Sequence, residues 1–150
     1  MLKTALKPAA EVFDFPVFRK ASEVLDAARK VIRNKRRWIT GNYAVDVNNE
    51  SVGCQKKDKD RSYAVAFCAM GAVRFVNGPA EKSASQFLAM AAAIESKNAV
   101  LKGKELVYAD GTESYYPEED DVTGFNDANS HKDALKMFAR AIRMAKAAGK

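Results

Sequence analysis

A chain of 150 residues, 47% hydrophobic and 29% charged, has the size and composition of one ordinary globular domain, and nothing in it demands disorder. Its net charge of +6 is unevenly spread: residues 105–127 hold eight acidic groups and no basic one, a net −8 that leaves +14 elsewhere. No run of about 18 apolar residues marks a membrane span. The N-terminal stretch, broken by Glu11 and Asp14, lacks the apolar core of a secretory signal, so a cytoplasmic protein without a membrane role is expected.

Residues 1–20 contain Pro8 and Pro16 without clear periodicity and read as an N-terminal arm. Its Asp-Phe-Pro-Val-Phe stretch at 14–18 must dock on its own domain or on a partner. Residues 21–150 read as a single compact domain. A first helix is predicted over 21–37 from Val24, Leu25, Ala28, Val31 and Ile32, with Ser22 as N-cap and Arg29, Arg33, Arg36 and Arg37 on its other side and at its C-terminal end. Gly41 allows the turn after Trp38. Residues 43–54 alternate apolar and polar around Asn48-Asn49 and predict a short hairpin, followed by a solvated loop at 55–61. A central helix is predicted over 62–76, with Gly71 inside it at about 1 kcal/mol against alanine. That cost implies another backbone packed closely there.

A third helix is expected over 80–97, a second hairpin over 105–116 across Asp110-Gly111, an acidic loop at 117–121, and a last helix over 130–148 started by Ser130 and Asp133. The fold class is α+β and predominantly helical: about four helices with one or two short β-hairpins.

Cys68, His131 and Asp127 (or Asn126) are the one set from which a cysteine nucleophile could be built, because a thiol needs a base in reach and a third group to orient that base. The plainer reading places Cys68 inside an apolar helix as a small inert hydrophobe. A serine there would bury an unpartnered hydroxyl and be worse tolerated than alanine. Asn126-Asp127 reads as a capping or turn pair at the entry to the last helix.

Asp46, Asn48 and Glu50 mimic the start of a calcium loop, but Ser51 and Lys57 stand where that loop needs Gly and Glu; no metal site is expected. Two cysteines, Cys54 and Cys68, without a CxxC or a His/Cys cluster read as reduced thiols rather than a disulfide framework or zinc site. Arg29, Arg33, Arg36 and Arg37 with Trp38 are the best nucleic-acid contact, cations for phosphates and a ring for a base; the plainer alternative is a solvated helix face with Trp38 as a core anchor. No phosphate loop, nucleophile elbow or HExxH occurs, and no cofactor is expected.

The order of short motifs resembles a small domain family of unknown function from bacteria and phages: Trp38-x-x-Gly41, an Asp46 turn, Phe67-Cys68-x-x-Gly71-Ala72, then Phe125-Asn126-Asp127 before a terminal helix. The likeness spans about 22–148. Two departures stand out: Asn48-Asn49 where the family's turn has Gly after the Asp, and residues 100–122, which read as an acidic hairpin and loop insertion. The family has no established activity, so the resemblance implies fold rather than chemistry. The function expected is a small phage or bacterial accessory protein that binds another protein or itself. The alternatives are a nucleic-acid-binding module using basic helices 21–37 and 130–148, and a cysteine-dependent hydrolase.

Overall fold

The computed structural model describes residues 6–150. The arm docks on its own chain. One helical turn, α1 (Ala9–Val12), is pinned by the Ala9 N–H on the Ala64 carbonyl at 2.8 Å, and Phe13, Phe15 and Phe18 pack half-buried on the core. The first long helix, α2 (Ala21–Ile32), buries Val24, Leu25, Ala28, Val31 and Ile32 as the spacing requires. It starts before Ser22, which lies buried in its first turn rather than capping it, and it ends five residues short of the expected 37. The chain then tightens into a 3-10 turn over Lys35–Arg37, begun by the Asn34 side chain accepting the Arg36 N–H.

The expected helix over 62–76 is divided. Strand β1 (Ala44–Val45) pairs antiparallel with β2 (Ala66–Phe67), Ala44 opposite Phe67 and Val45 opposite Ala66. The helix α3 (Ala69–Val76) begins only afterwards, with Cys68 as its N-cap. Sheet pairing and burial on every side override the helical propensity of residues 64–67. The predicted hairpin over 43–54 survives as a tight return with one bridge, Val45 to Ser51, and Asn49 at a φ of 65°. Asparagine tolerates that left-handed backbone better than most residues.

The next helix, α4 (Glu81–Glu95), packs against α6 (His131–Ala147), against α2, and against α5 (Glu119–Ala128). The described residues thus form six helices, not four, the additions being α1 and α5. The segment expected as an acidic loop is the start of α5: Glu119, Asp120 and Asp121 fill its first turn, where carboxylates suit the helix dipole. Asn126-Asp127 therefore lies within α5 rather than at the entry to α6.

Between α4 and α5, β3 (Ala99–Lys102) pairs antiparallel with β4 (Glu105–Tyr108), so β4 turns back at Gly103 as well as beyond Asp110. Residues 113–115 return along its other side, with Tyr115 N–H on the Leu106 carbonyl at 2.8 Å. Ser130 caps α6 as expected, accepting the Asp133 N–H at 3.1 Å. Among the described residues no helix is long and apolar enough to cross a membrane.

Candidate functional site

Helix α5 turns Phe125 and Asn126 into the interior and leaves Asp127 exposed. Asn126 is fully buried and its amide is saturated. Its Oδ1 accepts the Trp38 Nε1–H at 2.8 Å and the Ala69 N–H at 3.0 Å; its Nδ2 donates to the Ile39 carbonyl at 3.0 Å and to Asp127 Oδ1 at 3.1 Å. Asp127 Oδ1 also accepts the Gly41 N–H at 3.1 Å, where the backbone takes a φ of 80° that favours glycine. One side chain thus ties the Trp38–Gly41 turn to the free N-terminus of α3 and to α5, and it satisfies an orphan helix donor from outside the helix.

The other motif residues support this knot. Phe67 lies between it and the core: its carbonyl accepts the Ile39 N–H at 3.0 Å and its ring meets Phe75 at 4.8 Å. Gly71 is where another backbone passes, as its position predicted. A Cβ there would sit 1.9 Å from the Tyr43 carbonyl oxygen. Ala72 and Phe125 fill the core. Asp46 stays apart, its Oδ1 accepting the Asn48 and Glu50 N–H groups of its own turn.

Over the knot opens a shallow cleft of about 250 Å³, lined among others by Gly41, Tyr43, Cys68, Thr123 and Asp127. The Cys68 thiol is 3% exposed and caps α3, accepting the Gly71 N–H at 3.4 Å. Burial pushes it up to about 11, against the Gly71 and Met70 N–H groups that favour the thiolate. His131 faces elsewhere: its Nε2 is 2.7 Å from the Ile32 carbonyl and its ring lies against Trp38. Among the described residues no hydrogen bond joins Cys68, His131 and Asp127 into a relay, so the buried thiol has no hydrogen-bonded base.

Beside it, Glu119 Oε1 accepts the Tyr43 hydroxyl at 2.6 Å and the Arg74 guanidinium at 2.5 Å, with Arg74 stacked over the Tyr43 ring. This triad escaped the sequence reading. Its one legible signal was a single arginine in the otherwise apolar run 63–76, a cation that has to meet a carboxylate once packed.

The basic candidates separate. Arg37 is buried, donating to the Lys7 and Val65 carbonyls at 3.0 Å each, and half-buried Arg29 donates to the Leu135 carbonyl at 3.2 Å. Trp38 is half-buried with its N–H engaged. Arg33 and Arg36 remain exposed.

Of the eight acidic groups at 105–127 only Glu119 makes an ion pair among the described residues, with Arg74, and none pairs with a basic group of α2 or α6. Tyr108, Tyr115, Tyr116, Glu118, Asp120 and Asp121 line an open cleft of about 540 Å³. Tyr115 donates to Asp121 Oδ1 at 2.5 Å; burial first, then that bond, pushes its phenol up to about 12. No group of three or more His, Cys, Asp or Glu is placed to hold a metal ion among the described residues.

Residues 19–144 match the model of a family of unknown function, DUF6197. The chain belongs to that family. The match takes in the whole Asn126 knot and the acidic cleft, while the docked arm before residue 19 falls outside it. No curated protein and no solved structure gives a significant match.

Proposed function

We propose that the chain is a small cytoplasmic accessory protein, of a bacterium or a phage, that acts by binding another protein through its acidic face. One observation carries this reading: seven of the eight acidic groups at 105–127 make no ion pair among the described residues, and three of them, Glu118, Asp120 and Asp121, line one cleft with exposed Tyr108 and Tyr116, on a protein with +14 elsewhere. Charge left unspent within the fold is available to a partner, and tyrosine beside charge is a common composition of contact surfaces. The Asn126 knot holds the fold together, and a buried Cys68 thiol without a hydrogen-bonded base speaks against a thiol hydrolase. Nucleic-acid binding is the second reading. Exposed Arg33 and Arg36 favour it, and Arg29 and Arg37, spent on carbonyls, weaken it.

The test is capture from bacterial lysate, with and without nuclease treatment, on the immobilised chain, beside a Glu118→Lys/Asp120→Lys variant. The proposal expects a protein retained by the parent, lost by the variant and indifferent to nuclease. Capture that vanishes with nuclease, or that the variant retains in full, overturns it.

A further inference from the structure

We propose that the cleft between Tyr108, Tyr116 and the start of α5 receives arginine side chains from an extended basic segment of the partner. This deepens the protein-binding reading above and rests on it. The cleft divides into fixed and free parts. Asp121 is spent: one oxygen accepts the Tyr115 hydroxyl and the other the Glu118 N–H at 2.8 Å, so it orients the wall rather than meeting a ligand. Tyr115 in turn meets the Tyr108 ring edge-on at 4.9 Å, which sets the angle of that ring.

Glu118 and Asp120 are exposed, and their carboxylates make no ion pair and no hydrogen bond to another side chain among the described residues. Tyr116 is 82% exposed and Tyr108 47%. The helix dipole accounts for acid in the first turn of α5. It does not account for the exposed Tyr116 ring and the half-exposed Tyr108 ring beside the acid.

Rings together with free carboxylates select among cations. A guanidinium is planar, stacks on a tyrosine face and offers a fork of N–H donors to a carboxylate; an ammonium has the charge without the plane. The cleft is too open to enclose a small molecule. Asn98, just before β3, lines it as well.

The test titrates the full chain with a blocked pentapeptide carrying two arginines, and with its lysine and citrulline counterparts, followed by amide NMR shifts and calorimetry. The arginine peptide is expected to shift residues 108, 116 and 118–121, to bind several-fold tighter than the lysine peptide, and to lose at least about tenfold in affinity in a Tyr116→Ala/Glu118→Gln/Asp120→Asn variant. These side chains are exposed, and glutamine at 118 keeps an oxygen at the start of α5, so the variant's thermal unfolding should stay close to the parent's. Equal binding of citrulline, shifts centred elsewhere, an unaffected variant or no binding each overturns the proposal. If lysate capture still depends on Glu118 and Asp120 while the arginine peptide fails, the protein-binding reading stands and the arginine assignment falls.

Discussion

Asn126 concentrates more of the tertiary hydrogen bonding than any neutral side chain near the cleft. Replacing it by alanine strands the Trp38 indole N–H, the Ala69 N–H and the Ile39 carbonyl together. Each stranded buried group costs about 1–3 kcal/mol, so Asn126→Ala should lose about 3 kcal/mol or more in urea unfolding; a loss below about 1 kcal/mol would falsify the knot. Cys68 reverses a sequence expectation. As an N-cap accepting the Gly71 N–H it offers a substituted serine a hydroxyl partner, so Cys68→Ser should be tolerated better than Cys68→Ala, which removes the cap at about 1 kcal/mol. Cys54 and Cys68 are both pushed by burial from 9.0 to about 11, so the folded chain holds their protons more tightly than the unfolded chain does. The stability tied to them is whole below pH 9 and drains as pH rises towards 11, on the order of 2 kcal/mol per thiol. Melting temperature followed from pH 8 to 11 should fall more steeply for the parent than for Cys54→Ala/Cys68→Ser, and parallel curves would rule the account out.

At the scale of elements, two placements can be tested by their surroundings. Gly71→Ala raises helix propensity by about 1 kcal/mol, yet its Cβ would fall 1.9 Å from the Tyr43 carbonyl oxygen. Backbone on both sides cannot yield as a side-chain tip could, so the steric term wins and a net loss of at least about 3 kcal/mol is expected, seen as poor expression or a lowered urea midpoint. A more stable Gly71→Ala protein would mean that α3 and the β1 turn do not meet as described. The arm is the second case. Deleting residues 1–18 uncovers the surface under Phe13, Phe15 and Phe18 and takes the Lys7 carbonyl from buried Arg37. A loss of about 3 kcal/mol or more is expected, although the family match starts only at residue 19. Unchanged unfolding of the shortened chain would make the arm an accessory rather than part of the core.

For the whole molecule the separation of charge decides the partner class. A phosphate contact contributes a log–log salt slope of about −0.9 on duplex DNA. With Arg29 and Arg37 engaged on carbonyls, Arg33 and Arg36 make a short footprint, and the acidic segment repels phosphate. Labelled DNA and RNA titrated at about 50 and 200 mM salt should therefore show no specific binding at the higher concentration. Sub-micromolar binding there, abolished by Arg33→Glu/Arg36→Glu, would move the function to nucleic acid.

Sequence by itself determined what periodicity and local chemistry encode: the apolar face of α2, the presence of the helices α4 and α6, the Ser130 cap, the left-handed turn at Asn49, the close approach at Gly71 and the acidic block at 105–127. These are interactions over a few residues, where spacing and side-chain type suffice. Tertiary structure decided what distant segments do to each other. Residues 64–67 have helical composition, but β1 offers them backbone partners, so they extend and Cys68 becomes a cap instead of an interior residue. Asn126 looked like a local cap, and it does cap a helix, but one that begins 57 positions earlier. Arg37 looked like a surface cation and is buried by the arm. Which of several cations is spent on a carbonyl, and which carboxylate is left free, depends on what packs beside it, and that information resides in no single stretch of chain.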